Sequence, residues 1–112
     1  MSNLISTLPR TIGQFSVNPI ALGCWRLVAM PTADAQLRIE TALANNLNLI
    51  DNADVYGLDW GGDGFGAAES LLGNVLKASP GLRDQMVLAT KGGIVPGTPY
   101  NSRNLEQACD AS

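Results

Sequence analysis

Histidine is missing from all 112 residues. Its absence removes Ser-His-Asp and Cys-His catalysis from this chain, together with the commonest transition-metal ligand. Cysteine is scarce. Cys24 and Cys109 lie far apart and form no C-x-x-C, so they read as free thiols of a reducing compartment rather than a disulfide framework. A concentration of positive charge is lacking too. Seven basic and ten acidic residues are scattered along the chain, for a net charge of −3. With no lysine–arginine cluster, neither nucleic acid nor a membrane surface is an expected partner. No apolar run approaches the ~18 residues of a membrane span, and the first eleven residues lack the pattern of a signal peptide. The expectation is a soluble, cytoplasmic protein.

What remains is globular composition, 46% hydrophobic and 15% charged, in a length suited to one domain. Arg10-Thr11-Ile12 and Phe15-Ser16-Val17 flank Gly13-Gln14, and a glycine at the first loop position suits a II′ hairpin turn. Pro19 leads into a strand-like run ending at Cys24. Ala35, Ile39, Ala42 and Leu43 recur at helical spacing, with Thr32 or Asp34 as N-cap candidates and Asn45-Asn46 able to take a left-handed C-terminal position. A short strand is expected over 47–50. A glycine-rich loop follows from Gly57 to Gly66. Ala68, Leu71, Leu72, Val75 and Leu76 then mark a second amphipathic helix that Ser79-Pro80-Gly81 closes. Residues 86–90 form a near-continuous apolar run, as expected of a parallel strand covered on both faces. After a turn-rich stretch over 92–100, residues 104–110 look helical. Repeated strand–helix units of this kind imply an α/β protein with a parallel sheet. Three such strands cannot cover their own edges, whereas a closed eight-unit barrel would need ~250 residues. The architecture therefore reads as incomplete.

In such barrels the working groups sit at the C-terminal strand ends. Here those ends carry Gly23-Cys24-Trp25, then Asp51 with Tyr56 a short loop later, then Lys91. A phenol is a weak acid near neutrality, and a neighbouring ammonium stabilises the phenolate and so improves it as a proton donor. A carboxylate at Asp51 would hold Lys91 charged and oriented, offsetting the cost of burying an ammonium alone. That is the inventory for protonating a carbonyl oxygen during its reduction.

Leu22-Gly23-Cys24-Trp25-Arg26-Leu27, Asn48 to Gly57, Glu69-x-x-Leu72-Gly73-x-x-Leu76 and Thr90-Lys91 together resemble the first third of an aldo-keto reductase. The resemblance runs from about Leu8 to Ser112. It implies residues 1–112 as the N-terminal part of a TIM (β/α)8 barrel domain: the hairpin plus the first three βα units. The implied chemistry is reduction of an aldehyde or ketone with NADPH rather than NADH, with Tyr56 as proton donor and Lys91 and Asp51 tuning it. It further implies Gly23, Cys24, Trp25 and Asp51 as cofactor-binding positions, and a small-molecule carbonyl compound as substrate. Asn46 and Asn52 stand where the family more usually has Gly and Thr. The family's catalytic histidine on the fourth strand has no counterpart here. The isolated chain is accordingly expected to be inactive and poorly folded, and a complementing C-terminal chain is a candidate partner.

Other signals carry less. Gly62-Asp63-Gly64-Phe65-Gly66-Ala67 fits a dinucleotide-binding pattern, but a true fingerprint follows its strand directly, so a flexible substrate-side loop is the expectation. Asp59 and Asp63 have a faint calcium-loop look without the required final carboxylate, and no metal site is expected. Trp25 and Trp60 suit the wall of an apolar substrate pocket, with packing against further barrel elements as the competing role. Cys24 is more simply a buried filler than a reactive thiol. Two alternative functions remain: a non-catalytic regulatory or remnant barrel fragment, and a small nucleotide-binding module built on the glycine loop.

Overall fold

A computed structural model describes residues 8–94 and 102–112, with side chains described for all of these but 102–104. Much of the turn-rich stretch expected over 92–100 lies outside the described residues.

The chain opens with a hairpin of β1 (Arg10–Ile12) and β2 (Phe15–Val17), antiparallel with Ile12 opposite Phe15. Gly13 supplies the positive φ of +56° while Gln14 does not adopt one, which selects the II′ turn over I′. The hairpin stands apart from a three-stranded parallel sheet of β3 (Leu22–Gly23), β4 (Leu49–Asp51) and β5 (Val87–Ala89), in that spatial order. Between them run α1 (Thr32–Ala44) and α2 (Ala67–Ala78), and α3 (Ser102–Ala111) follows β5. Because parallel crossovers are as a rule right-handed, a strand order that never reverses puts both connecting helices on one face of the sheet. A doubly wound sheet would reverse its order and place helices on both faces. Consistent with this, α1 and α2 pack against each other.

The core fills the space between that face and the helices. Ile50 from β4, Ala35 and Ile39 from α1, and Ala68, Leu72 and Val75 from α2 are all buried. Because side chains alternate along a strand, burying Ile50 turns Leu49 and Asp51 to the opposite face. That alternation decides where the site lies.

Several expectations need correction. Neither Thr32 nor Asp34 caps α1: Pro31 occupies the cap position with no side-chain hydrogen bond. Its carbonyl instead receives the N–H groups of Asp34 and Ala35, and the Asp34 carboxylate sits in the first turn, where the helix dipole favours it. The strands are shorter than the apolar runs that announced them, since Ile20 and Ala21 approach no ladder partner and stay exposed. Strand β5 is only partly buried rather than covered on both faces, because the helices shield one face and nothing described covers the other. Ser79-Pro80-Gly81 does close α2 as expected, since the helix ends at Ala78 with Ser79 at its C-cap. Residues Pro80–Gln85 wind into a 3-10 turn that buries Leu82. Asn46 likewise takes the left-handed conformation after α1, at φ +65°.

Ile39 is almost completely buried between α1 and the sheet. Ile39→Ala should lower the free energy of unfolding by about 2–5 kcal/mol, read from urea-denaturation midpoints. A change within error would mean that this core is not formed in solution.

Candidate active site

The site begins with backbone hydrogen bonds that extend the ladder past the strands. Cys24 N–H donates to the Asp51 carbonyl (2.9 Å), Asn52 N–H to Ala89 (2.8 Å) and Asp54 N–H to Lys91 (3.1 Å). These bonds carry the parallel register, Gly23 beside Asp51 and Asp51 beside Ala89, into the loops. Asp51 and Lys91 are thereby delivered to the same edge of the sheet. Tyr56 arrives there through a short turn in which its N–H donates to the Ala53 carbonyl, and its own carbonyl receives the N–H of Ala68 in α2.

Lys91 joins the three. Its Nζ donates to Asp51 Oδ1 at 3.0 Å, to the Asn52 carbonyl at 2.7 Å and to the Tyr56 hydroxyl at 3.0 Å. Three donors meet three acceptors, the full capacity of an ammonium group. The Asp51 and Lys91 side chains remain 41% and 42% exposed, so the cluster opens outward. Partial burial disfavours the Lys91 ammonium, but the hydrogen bonds to Tyr56 and Asp51 and the Asp51 charge outweigh it, so the lysine holds its proton more tightly than usual. The Asn52 carbonyl, absent from the residue-type reading, is the shortest of the three contacts. A backbone acceptor leaves no trace in residue identity. Asn52 itself is buried and turns its side-chain oxygen to the N–H of Ala53, which stiffens this bend.

The remaining expected residues divide. Gly23 lies at the exposed strand end beside Asp51. Trp25 and Trp60 are brought together, ring centroids 6.1 Å apart and planes tilted by 51°, with 41% and 50% of each residue exposed. The Cys24 thiol is not at the edge. It packs in the core with Leu27, Ala35 and Ile39, so a cofactor contact through that side chain is not what the fold provides. The physical reason is strand alternation: Gly23 faces the open side and its neighbour must face the helices. Burial, reinforced by Asp51 and only partly countered by Lys91, pushes the Cys24 thiol up to about 11.

Residues 57–66 double back on themselves. Gly64 N–H donates to the Gly57 carbonyl and Gly66 N–H to that of Asp54. Gly57 has φ +120°, and a Cβ there would lie 2.3 Å from that of Ala67, so only glycine fits. The run begins well beyond the end of β4, in keeping with its not being a strand-borne dinucleotide fingerprint.

Sequential parallel strands carry a lysine, a carboxylate and a phenol hydrogen-bonded to one another at their C-terminal edge, in an α/β fold. Residues 19–112 match the model of the Aldo/keto reductase family, and the chain belongs to that family. It is 52% identical over 101 residues to 6-dehydroglucose reductase of Novosphingobium aromaticivorans, a match covering 87% of this chain and 33% of that relative. Among solved structures, the aldo-keto reductase of Bacillus halodurans in its holo form aligns with TM-score 0.64 and 21% identity, covering 94% of this chain and 35% of that one. An aldo/keto reductase of Klebsiella pneumoniae, in complex with NADP and acetate, aligns with TM-score 0.56 and 28% identity, covering 95% and 34%. The chain thus spans about a third of the length of these relatives. Among the described residues, no helix is long and apolar enough to cross a membrane.

Two measurements follow from this geometry. A maleimide should label one thiol in the native protein, the exposed Cys109, and two in denaturant. Equal native labelling of both would place Cys24 outside the core. A lysine holding its proton more tightly when folded adds stability below its ordinary value of 10.5, and that stability is lost as pH rises through the higher folded value. The stability gap between wild type and Lys91→Met should therefore stay constant near neutrality and shrink only on the alkaline side. A gap already closing at pH 8 would contradict the triad of contacts.

Proposed function

We propose that this chain contributes the proton-donating part of a carbonyl-reducing site, and that the reduction uses NADPH. One observation carries the reading: Lys91 donates to the oxygen of Tyr56, which leaves the phenol's own hydrogen free to point outward. A substrate carbonyl at that position would accept it. As negative charge develops on the carbonyl oxygen, Tyr56 transfers its proton, and the phenolate left behind faces the Lys91 ammonium. Asp51 and the Asn52 carbonyl fix Lys91, so little reorganisation is required at the moment of transfer. The product is an alcohol. Asp51 and Lys91 are open enough to meet a ligand, and Gly23, Trp25 and Asp51 would border a nicotinamide ring. NADPH, when bound, supplies the hydride.

Support comes from the family, from a relative named as a reductase and from a structural neighbour in complex with NADP. In this reading β3 to β5 with their helices are the first three βα units of an eightfold barrel, an arrangement the unreversed strand order favours. With the Lys91–Tyr56 pair open to water, the chain by itself would not turn over.

The test places this chain in a chimera, replacing the matching 101 residues of the Novosphingobium relative. Tyr56→Phe in that chimera should lower kcat for NADPH-dependent aldehyde reduction at least ~100-fold, with KM nearly unchanged. The isolated chain serves as the inactive control. Undiminished turnover by the phenylalanine variant removes Tyr56 from the chemistry.

A further inference from the structure

The shortest contact of the Lys91 ammonium is to a backbone carbonyl, that of Asn52 at 2.7 Å. A carbonyl is placed only as well as the peptide plane that carries it. The Ala53 N–H belongs to that same plane, and it donates to Asn52 Oδ1 at 2.9 Å. In a planar trans peptide the N–H and C=O point in opposite directions. Asn52 is 1% exposed, the only polar residue buried among the described residues. An N–H drawn toward its side chain therefore turns the carbonyl the other way, to the side where Lys91 meets Asp51. Elsewhere the segment is pinned to β5 and its continuation: Asn52 N–H donates to Ala89, and Asp54 N–H to Lys91. The 52–53 peptide lies between those two anchors, and Asn52 Oδ1 is the acceptor that stops it turning.

Residue type matters at this position. Ala53 is fully buried, so its N–H has no water to turn to. An apolar side chain of similar size at position 52 would leave that donor without its acceptor. The strain is relieved by rotating the peptide until the N–H meets another oxygen. The Asn52 carbonyl turns with it, and Lys91 loses its closest contact. An ammonium held only by Asp51 and the Tyr56 hydroxyl has the latitude of a half-exposed ion pair. What the site needs from Asn52 is thus an oxygen within the core, one that accepts and is itself held still by packing.

Resting on the carbonyl-reductase reading above, we infer that the Asn52 side chain is a positioning residue of the proton-donating site: it orients the 52–53 peptide, whose carbonyl fixes Lys91 and, through Lys91, the Tyr56 hydroxyl. It touches neither the phenol nor any reacting atom.

Lys77 and Lys91 are the only lysines in the chain, so labelling lysine Nζ with nitrogen-15 gives two ammonium signals in NMR spectra of the full 112-residue chain. Lys91→Met assigns them, and the exposed Lys77 serves as internal reference. In wild type the Lys91 ammonium protons should exchange with water at least ~10-fold more slowly than those of Lys77, the size expected of a hydrogen bond to a charged group. A scalar coupling across the hydrogen bond should link Lys91 Nζ to the Asn52 carbonyl carbon. Asn52→Leu should abolish that coupling and speed Lys91 exchange at least ~10-fold, with Lys77 unchanged. Asn52→Asp keeps an acceptor for the Ala53 N–H and should preserve the coupling and the slow exchange. Circular dichroism establishes that each variant remains folded. In the chimera, Asn52→Leu should lower kcat at least ~10-fold with KM nearly unchanged. The inference is overturned by the absence of the coupling in wild type, a measurement that needs no variant to fold. Unchanged Lys91 exchange in folded Asn52→Leu, the result of a merely structural role, overturns it as well. So does an unchanged kcat for Asn52→Leu in a chimera that Tyr56→Phe inactivates. A chimera indifferent to Tyr56→Phe instead overturns the donor reading, and the lysine signals still decide whether Asn52 places Lys91.

Discussion

The site depends on one ammonium group and the three oxygens it can reach. Lys91 Nζ meets a carboxylate, a backbone carbonyl and a phenol within 3.0 Å, and each comes from a different position along the segment 51–56. A lysine bonded to Asp51 alone would be an ordinary half-exposed ion pair contributing little. Bonded also to the Asn52 carbonyl, it has one geometry, and Tyr56 is held to that geometry in turn. The lysine is therefore a positioning device as much as a charge.

What makes that geometry available is the sheet. Three parallel strands in register, with Ile50 packed under the helices, force Asp51 to the opposite face. The ladder bonds that continue to Asn52 and Asp54 then carry the order beyond the strand ends. The same alternation sends Cys24 inward while Gly23 stays at the open side. Precision at the edge thus has its origin in apolar packing several ångströms below it.

The loop after Tyr56 shows a different economy. Its glycines supply the positive φ angles that let ten residues return on themselves, and the reversal sets Trp60 against Arg26 and near Trp25. A tryptophan in a left-handed conformation is held there by Arg26 over its ring and by Trp25 beside it, while the Trp25 indole N–H is in turn tied to Asp59 in the same loop. The Lys91 cluster and the two tryptophans thus lie on adjoining segments: one that extends the sheet and one that folds back after Tyr56.

Much was legible without coordinates where side-chain identity or periodicity carries the physics. The apolar spacing of Ala35, Ile39 and Ala42 marks α1, Gly13 marks the hairpin, and the order Asp51, Tyr56, Lys91 at strand ends marks three side chains that the fold brings together. Other features depend on which atoms come near in space. The cap at Pro31, the 3-10 turn over Pro80–Gln85, the inward thiol of Cys24 and the stacking of Arg26 on Trp60 were in this class. So was the Asn52 carbonyl, since every residue has one. By itself the sequence determined the family and the functional groups available at the strand ends, because residue types and their order are written in the chain. Only the tertiary structure decided which oxygens surround the lysine and which face each residue turns to, because those outcomes follow from register and packing between segments remote in sequence.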